Sequence, residues 1–176
     1  MIYLIGGTPR AGKSTLSKII TERKGIPYIS LDFIVHMING VQPELNLIDP
    51  YAEIPTKFYP YLKNLLINIE HSVSYYTVEG DAFTPQQVSE LSTQFKVRSC
   101  FMGFSHITLE QIKKNIGEND WLNDRSEQEQ AETPAWIIKR SAEIKKECAK
   151  CGIQYFDMAE GDYQENLEKA YNYLLE

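Results

Sequence analysis

The sequence has little of what marks secreted, membrane-spanning or nucleic-acid-binding proteins. Three cysteines in 176 residues, an odd number, supply no disulfide framework and favour a reducing compartment. No apolar run approaches the roughly 20 residues that a membrane span needs. Acidic residues outnumber basic ones by 24 to 18, and the net charge of −6 disfavours a general nucleic-acid surface. We therefore expect a cytoplasmic protein with neither a membrane nor a nucleic acid as its partner.

The length and composition are those of one globular domain. With 43% hydrophobic and 24% charged residues, the chain has enough apolar material for a sizeable core. We expect a single domain over residues 1–176. The apolar run at the N-terminus has no basic residues before it, so we interpret it as a core strand and not as a signal peptide.

Two of the cysteines form a Cys-x-x-Cys pattern, which is common in redox and zinc sites. Cys148 and Cys151 lie near the end of a predicted helix, whereas a reactive thiol is favoured at a helix N-terminus. A zinc site needs a second Cys or His pair at suitable spacing, and the sequence has none. Both thiols share a helical stripe with Ile137 and Ile144, so we predict that they are buried in the core.

The most specific feature of the chain is a phosphate-binding loop. Residues 7–14 match Gly-x4-Gly-Lys-Ser/Thr and lie between a short apolar run and a predicted helix, as this motif requires. The glycines let backbone N–H groups turn toward a triphosphate, Lys13 can reach its phosphates, and the Ser14 hydroxyl can ligate Mg²⁺. The predicted nucleotide-binding residues are Gly7, Thr8, Pro9, Arg10, Ala11, Gly12, Lys13, Ser14 and Thr15.

Strand and helix signals alternate along the whole chain. The predicted strands lie at about 2–5, 28–31, 73–78, 96–104 and 153–158. The predicted helices lie at about 13–24 and 61–71, after the caps at 84, 108 and 162, and from Thr133-Pro134 to Gly152. A long connection is expected from Phe33 to Pro60. This alternation predicts an α/β fold, a three-layer doubly wound sheet of about five parallel strands.

Acidic residues follow two of the predicted strands. Asp32 comes after the second strand, and Glu79 and Asp81 come after the third. Since ligands of such sheets bind at the carboxyl ends of the strands, these side chains can converge beside the phosphate-binding loop. One acid together with Ser14 suffices for Mg²⁺, and we favour Glu79 over Asp81 because it lies nearer the strand end. Asp32 is equally well placed to be a helix N-cap, so that alternative stays open.

Together the loop at 7–15, Ser30-Leu31-Asp32 and Val78-Glu79-Gly80-Asp81 resemble the P-loop kinases that act on small metabolites, such as shikimate, gluconate and adenylate kinases. The resemblance implies phosphoryl transfer from ATP, with Mg²⁺, to a small hydroxyl-bearing acceptor. It implies that Asp32 orients or deprotonates the acceptor and that an acid after the third strand supports the metal. It also implies that residues 33–73 bind the acceptor and that 117–133 form a lid.

Arginine is scarce, and two of the five arginines are candidates to stabilise the transferring phosphoryl group. These are Arg125, in the expected lid, and Arg140, in the following helix. The segment that contains Arg125 is otherwise acidic, so an exposed loop with a surface ion pair is the alternative. Its acids are Glu118, Asp120, Asp124, Glu127, Glu129 and Glu132.

The acceptor region indicates what kind of acceptor to expect. Between residues 33 and 73 the fixed positive charges are Lys57 and Lys63, without the forked arginines that grip a phosphate. This favours a neutral or weakly charged acceptor. Four of the region's aromatic residues are either a wall of the acceptor site or part of the core. They are Tyr51, Phe58, Tyr59 and Tyr61.

Two other functions remain open at this point. A nucleotide-dependent switch or binding module would share the loop but hydrolyse slowly, and a guanine-specific switch would need an Asn-Lys-x-Asp element that the sequence lacks. A nucleotide kinase would need more arginines than the acceptor region has. We expect a monomer or a homodimer.

Overall fold

The computed structural model describes residues 1–114 and 122–176, and a five-stranded parallel sheet is at its centre. The strand order is β2-β3-β1-β4-β5, and all four neighbouring pairs are parallel. The strands are β1 (Ile2–Gly7), β2 (Tyr28–Ser30), β3 (Tyr76–Glu79), β4 (Val97–Gly103) and β5 (Gln154–Asp157). The predicted fold class is confirmed.

Helices cover both faces of this sheet. They are α1 (Lys13–Lys24), α2 (Leu31–Val41), α3 (Ile54–Ser72), α4 (Pro85–Leu91), α5 (Leu109–Lys114), α6 (Glu127–Cys151) and α7 (Tyr163–Leu175). Two 3-10 turns, Pro43–Leu45 and Tyr51–Glu53, lie between α2 and α3. No helix in the described part of the chain is both long and apolar enough to cross a bilayer.

The central strand β1 shows why the sheet needs a layer on each side. Its side chains alternate between faces, so Leu4 packs in the cluster that contains α3, while Ile5 packs in the cluster that contains α1 and α7. Both are 0% exposed. A strand buried on both faces is continuously apolar, which explains the unbroken run at the N-terminus.

Several local signals act as the sequence indicates. Helix α1 ends at Gly25, whose φ of 66° lies in the left-handed region and whose N–H donates to the Thr21 carbonyl. Thr84 and Gln87 form the predicted capping box at the start of α4. Asp162 accepts hydrogen bonds from two N–H groups in the first turn of α7.

The predicted connection from Phe33 to Pro60 is wrong at both ends. Helix α2 occupies Leu31–Val41, and α3 begins at Ile54, which places Pro55 in its first turn and Pro60 inside it. Proline is accepted at a helix start because the N–H that it lacks has no partner there. The apolar stripes that bury Val35 on α2 and Phe58 on α3 therefore outweigh the proline signals.

The predicted start of the long helix at Thr133-Pro134 is also wrong. Helix α6 begins at Glu127 behind a capping box of Ser126 and Glu129, and Pro134 lies within it. The Thr133 hydroxyl donates to the Glu129 carbonyl at 2.7 Å. Of the predicted lid, residues 117–121 lie outside the described residues, 122–126 form a turn and 127–133 belong to α6.

Of the two thiols predicted to be buried, Cys148 lies in the core and Cys151 does not. Cys100 and Cys148 are buried, and Cys151 is half-buried. Burial raises the pKa of Cys148 to about 12, so it is a thiol and not a thiolate near neutral pH. The described residues contain no group of three or more Asp, Glu, His or Cys side chains suited to hold a metal.

Candidate active site

The phosphate-binding loop is held against the ends of β1 and β4. The Thr8 N–H donates to the Met102 carbonyl at 3.0 Å, and a Cβ on Gly7 would collide with that same carbonyl oxygen. Lys13 is 8% exposed, and its Nζ donates to the Thr8 carbonyl at 3.0 Å. Its ammonium group therefore lies inside the loop, where a phosphate can replace the carbonyl as its partner.

Helix α7 closes the other side of the loop. Gly12 has a φ of 97°, and a Cβ there would meet the Tyr163 hydroxyl. Burial raises the pKa of Tyr163, and a hydrogen bond with Thr15 partly offsets that rise. A residue with a side chain is therefore disfavoured at position 12 for two reasons. The backbone is left-handed there, and the Tyr163 side chain of α7 fills the space that a Cβ would need.

A third contact joins the loop to helix α6. The Thr8 and Ser141 hydroxyls lie 3.1 Å apart, and Ser141 Oγ also accepts from the Phe104 N–H at 2.9 Å. Ser141 is 1% exposed, so these bonds form away from water. The sequence gives no signal for this residue, because a single serine in a helix 133 positions from its partner has no local pattern.

Ser14 and Glu79 meet as the metal prediction requires. Ser14 Oγ donates to Glu79 Oε1 at 2.9 Å, and Glu79 is 1% exposed at the end of β3. One hydroxyl and one carboxylate are oxygen donors of the kind that Mg²⁺ takes, alongside phosphate and water. The donor set therefore fits the ion.

Asp32 lies in the first turn of α2 and is not its N-cap, which is Ser30. The side chain is solvent-exposed, yet protein surrounds it closely enough that desolvation is the main cause of its altered pKa. Desolvation, the nearby Asp81 and, more weakly, Glu79 raise the pKa of Asp32 to about 6, while Lys13 opposes the rise. Asp81, Glu79 and Lys13 are thus all near enough to Asp32 to act on its charge, and the four side chains belong to one site.

Asp81 has a different partner from Glu79. The Tyr51 hydroxyl donates to Asp81 Oδ2 at 2.5 Å, which joins the second 3-10 turn to the loop after β3. The Tyr51 ring lies edge-on to Trp136 of α6, with 5.1 Å between centroids. Trp136 is 38% exposed, and no motif or spacing in the sequence indicates it.

The two candidate arginines lie in different places. Arg140 is one turn after Trp136; it is 3.3 Å from Glu143, and its charge lowers the pKa of Tyr51, which burial and Asp81 raise. Arg140 is therefore on the acceptor side of the site. Arg125 lies in the turn before α6, with its guanidinium 3.8 Å from Glu129, as the surface ion-pair alternative expects.

Of the four aromatic residues proposed as a wall of the acceptor site, Tyr51 alone contacts the acidic site. Phe58 is 0% exposed in the core, Tyr59 donates to Glu90, and Tyr61 donates to Gln42. An open apolar groove of about 530 Å³ between α2 and α3 is lined in part by Tyr61. None of its lining residues is charged, so the groove has no ionic partner for a phosphate.

Comparison with solved structures identifies the fold. Shikimate kinase from Bacteroides thetaiotaomicron matches with a TM-score of 0.61 at 14% identity, over 98% of this chain and 97% of that one. The chain has the shikimate kinase fold. A gluconokinase from Sinorhizobium meliloti matches with a TM-score of 0.57 at 15% identity, over 98% of this chain and 90% of that one. An uncharacterized protein from Eubacterium ventriosum matches with a TM-score of 0.54 at 14% identity, over 99% and 98% of the two chains.

No protein-family model matches the chain, and no curated protein matches it in sequence. The structural matches alone thus confirm the resemblance to P-loop small-molecule kinases, and they confirm it at the level of the fold.

Proposed function

We propose that this protein transfers the γ-phosphoryl group of ATP, with Mg²⁺, to a hydroxyl group of a small metabolite. One observation carries the proposal. The inward Lys13, the Ser14–Glu79 pair and the raised pKa of Asp32 belong to one site at the carboxyl ends of β1, β2 and β3. Phosphoryl transfer needs positioning and charge neutralisation more than covalent chemistry, and this set supplies both.

Each residue has a distinct role in the proposed reaction. Lys13 and the N–H groups of residues 7–15 other than Pro9 hold the phosphates of ATP, and Ser14 with Glu79 would hold Mg²⁺. The ion would neutralise charge on the phosphate oxygens. Asp32 accepts a hydrogen bond from the acceptor hydroxyl and then its proton.

The acceptor oxygen forms a bond to the γ-phosphorus while the bond from that phosphorus to the β,γ-bridging oxygen breaks, and ADP leaves. Arg140 is the better placed of the two arginines to stabilise this transfer, because it lies beside the Tyr51–Asp81 pair. We assign acceptor binding to residues 33–73, with Tyr51 as the aromatic residue that faces the site. Arg125 and the segment 117–133 remain candidates to cover the phosphates.

The fold neighbours are consistent with this proposal. They include kinases named for shikimate and gluconate, and one of them, from Acinetobacter baumannii, is a complex with shikimate. Since identity is only 14–15%, the acceptor of this protein has to be found by experiment.

The test is transfer of label from γ-labelled ATP with Mg²⁺ to pooled metabolites, by wild type, Lys13→Ala and Asp32→Asn. We expect a labelled product from wild type only, and nucleotide binding that is lost in Lys13→Ala and kept in Asp32→Asn. ATP bound by wild type, with hydrolysis at background and no product, would contradict transfer to these metabolites and favour a binding module or switch.

A further inference from the structure

The acceptor side of the proposed site has more carboxylates than its chemistry uses. In the proposed reaction Glu79 serves the metal and Asp32 serves the acceptor hydroxyl, which leaves Asp81 without a role. Asp81 is only half-buried and accepts from the Tyr51 hydroxyl at 2.5 Å. In the described part of the chain, none of these three carboxylates takes part in an ion pair.

The basic residues nearby already have other partners. Arg140, whose charge acts on Tyr51, lies 3.3 Å from Glu143 and serves the transferring phosphoryl group in the proposed reaction. Lys57 pairs with Glu53 at 3.0 Å, and Lys63 lies 6.0 Å from the centroid of the Tyr59 ring. Lys13 is taken up by the phosphates once nucleotide binds, and MgATP adds negative charge of its own.

The surroundings of Asp81 suit a cation. Its neighbour Tyr51 packs against Trp136, which is 38% exposed, so aromatic rings border a carboxylate that is open to solvent. Carboxylates together with aromatic faces recognise alkylammonium groups through charge and through the ring quadrupole. The repulsion between Asp81 and Asp32, evident in the raised pKa of Asp32, would fall when a positive group lies near both.

We propose that the phosphate acceptor is a hydroxyl compound that carries a protonated amine, recognised by Asp81 and the Tyr51–Trp136 ring pair while its hydroxyl faces Asp32. This inference rests on the proposed function and narrows its substrate class. A carboxylate or phosphate on the acceptor would instead add to the negative charge that Asp32, Glu79 and Asp81 already supply.

The experiment divides a protein-free metabolite extract by ion exchange at neutral pH into cationic, neutral and anionic fractions. Each fraction is incubated with γ-labelled ATP, Mg²⁺ and the wild-type protein, with Lys13→Ala as the blank. We expect the labelled product from the cationic fraction. A product from the neutral or anionic fraction alone overturns the amine inference and leaves the kinase proposal in place, whereas no product from any fraction contradicts both.

Asp81→Asn tests the recognising residue with the product in hand. The amide oxygen can still accept from Tyr51, so the fold is kept while the charge is removed. We expect kcat/KM for the amine-bearing acceptor to fall about 10- to 100-fold, as for loss of a charged hydrogen bond, with the KM for ATP unchanged. Glu22→Gln removes one exposed carboxylate near the far end of α1, outside the acceptor region, and is expected to leave both constants unchanged. Equal kinetics for Asp81→Asn and wild type would overturn the assignment to Asp81.

Discussion

Asp32→Asn is expected to stabilise the protein while it removes phosphoryl transfer. The rise of the Asp32 pKa from 3.8 to about 6 means that folding penalises its charged form at neutral pH. The penalty corresponds to about 3 kcal/mol if the ordinary pKa holds in the unfolded chain. Because the side chain is solvent-exposed, screening reduces this strongly. The acid also gains about 0.5 kcal/mol from the α2 helix dipole, which Asn loses.

We therefore expect a net gain of about 1 kcal/mol at pH 8, or about 2–4 °C in Tm for a chain of this size. The sign follows from the raised pKa: the penalty is complete above the folded-state value of about 6 and disappears below the ordinary value of 3.8. The gain should thus shrink by about half at pH 5. Calorimetry of wild type, Asp32→Asn and the control Glu22→Gln measures it. A lower Tm for Asp32→Asn at pH 8, or an equal gain at both pH values, would refute the reasoning. Transfer should fall about 100-fold or more, as for loss of a general base.

Three further variants test the supports of the loop and the metal. Gly25→Ala should cost about 1 kcal/mol, because Gly25 has a left-handed backbone but open space around it. Gly12→Ala should cost more, because its new methyl group would also meet the Tyr163 hydroxyl. Equal losses in urea unfolding, or intact nucleotide binding by Gly12→Ala, would contradict the proposed contact with Tyr163. Ser141→Ala should lower the free energy of unfolding by about 1–3 kcal/mol in the same assay, because it leaves the buried Phe104 N–H, just after β4, without its partner. A loss below about 0.5 kcal/mol would mean that water replaces the hydroxyl. Glu79→Gln should keep its bond with Ser14 but raise the Mg²⁺ concentration for half-maximal transfer about tenfold or more; an unchanged midpoint would move the metal role to another acid.

The sequence predicts best those features that depend on neighbours along the chain. The loop at 7–15 combines a glycine conformation, a strand before it and a helix after it, all within a short stretch of sequence. The end of α1 at Gly25 and the capping box at Thr84 are equally local. The convergence of Asp32 and Glu79 could be predicted because parallel strands end at the same edge of a sheet.

The features that the sequence did not predict depend on packing or on contacts between distant residues. Helix α2 forms although prolines follow it, because its apolar side chains are buried against α3 and the sheet. Helix α6 begins before Pro134, because the capping box of Ser126 and Glu129 defines an earlier start. The contacts of Ser141 with Thr8 and of Trp136 with Tyr51 join residues far apart in the chain, and no spacing rule connects them.

Helix α6 contacts both halves of the proposed site. Trp136 packs on Tyr51, Arg140 acts on the same tyrosine one turn later, and Ser141 binds the phosphate-binding loop through Thr8. These positions span less than two turns of one continuous helix, so a shift of α6 moves the acceptor side and the nucleotide side together. The hydrogen bonds of Ser141 are buried, whereas the ring contact of Trp136 with Tyr51 is partly exposed. Helix α6 is therefore held more rigidly to the phosphate-binding loop than to Tyr51. A change at Trp136 should therefore alter acceptor binding before it alters nucleotide binding.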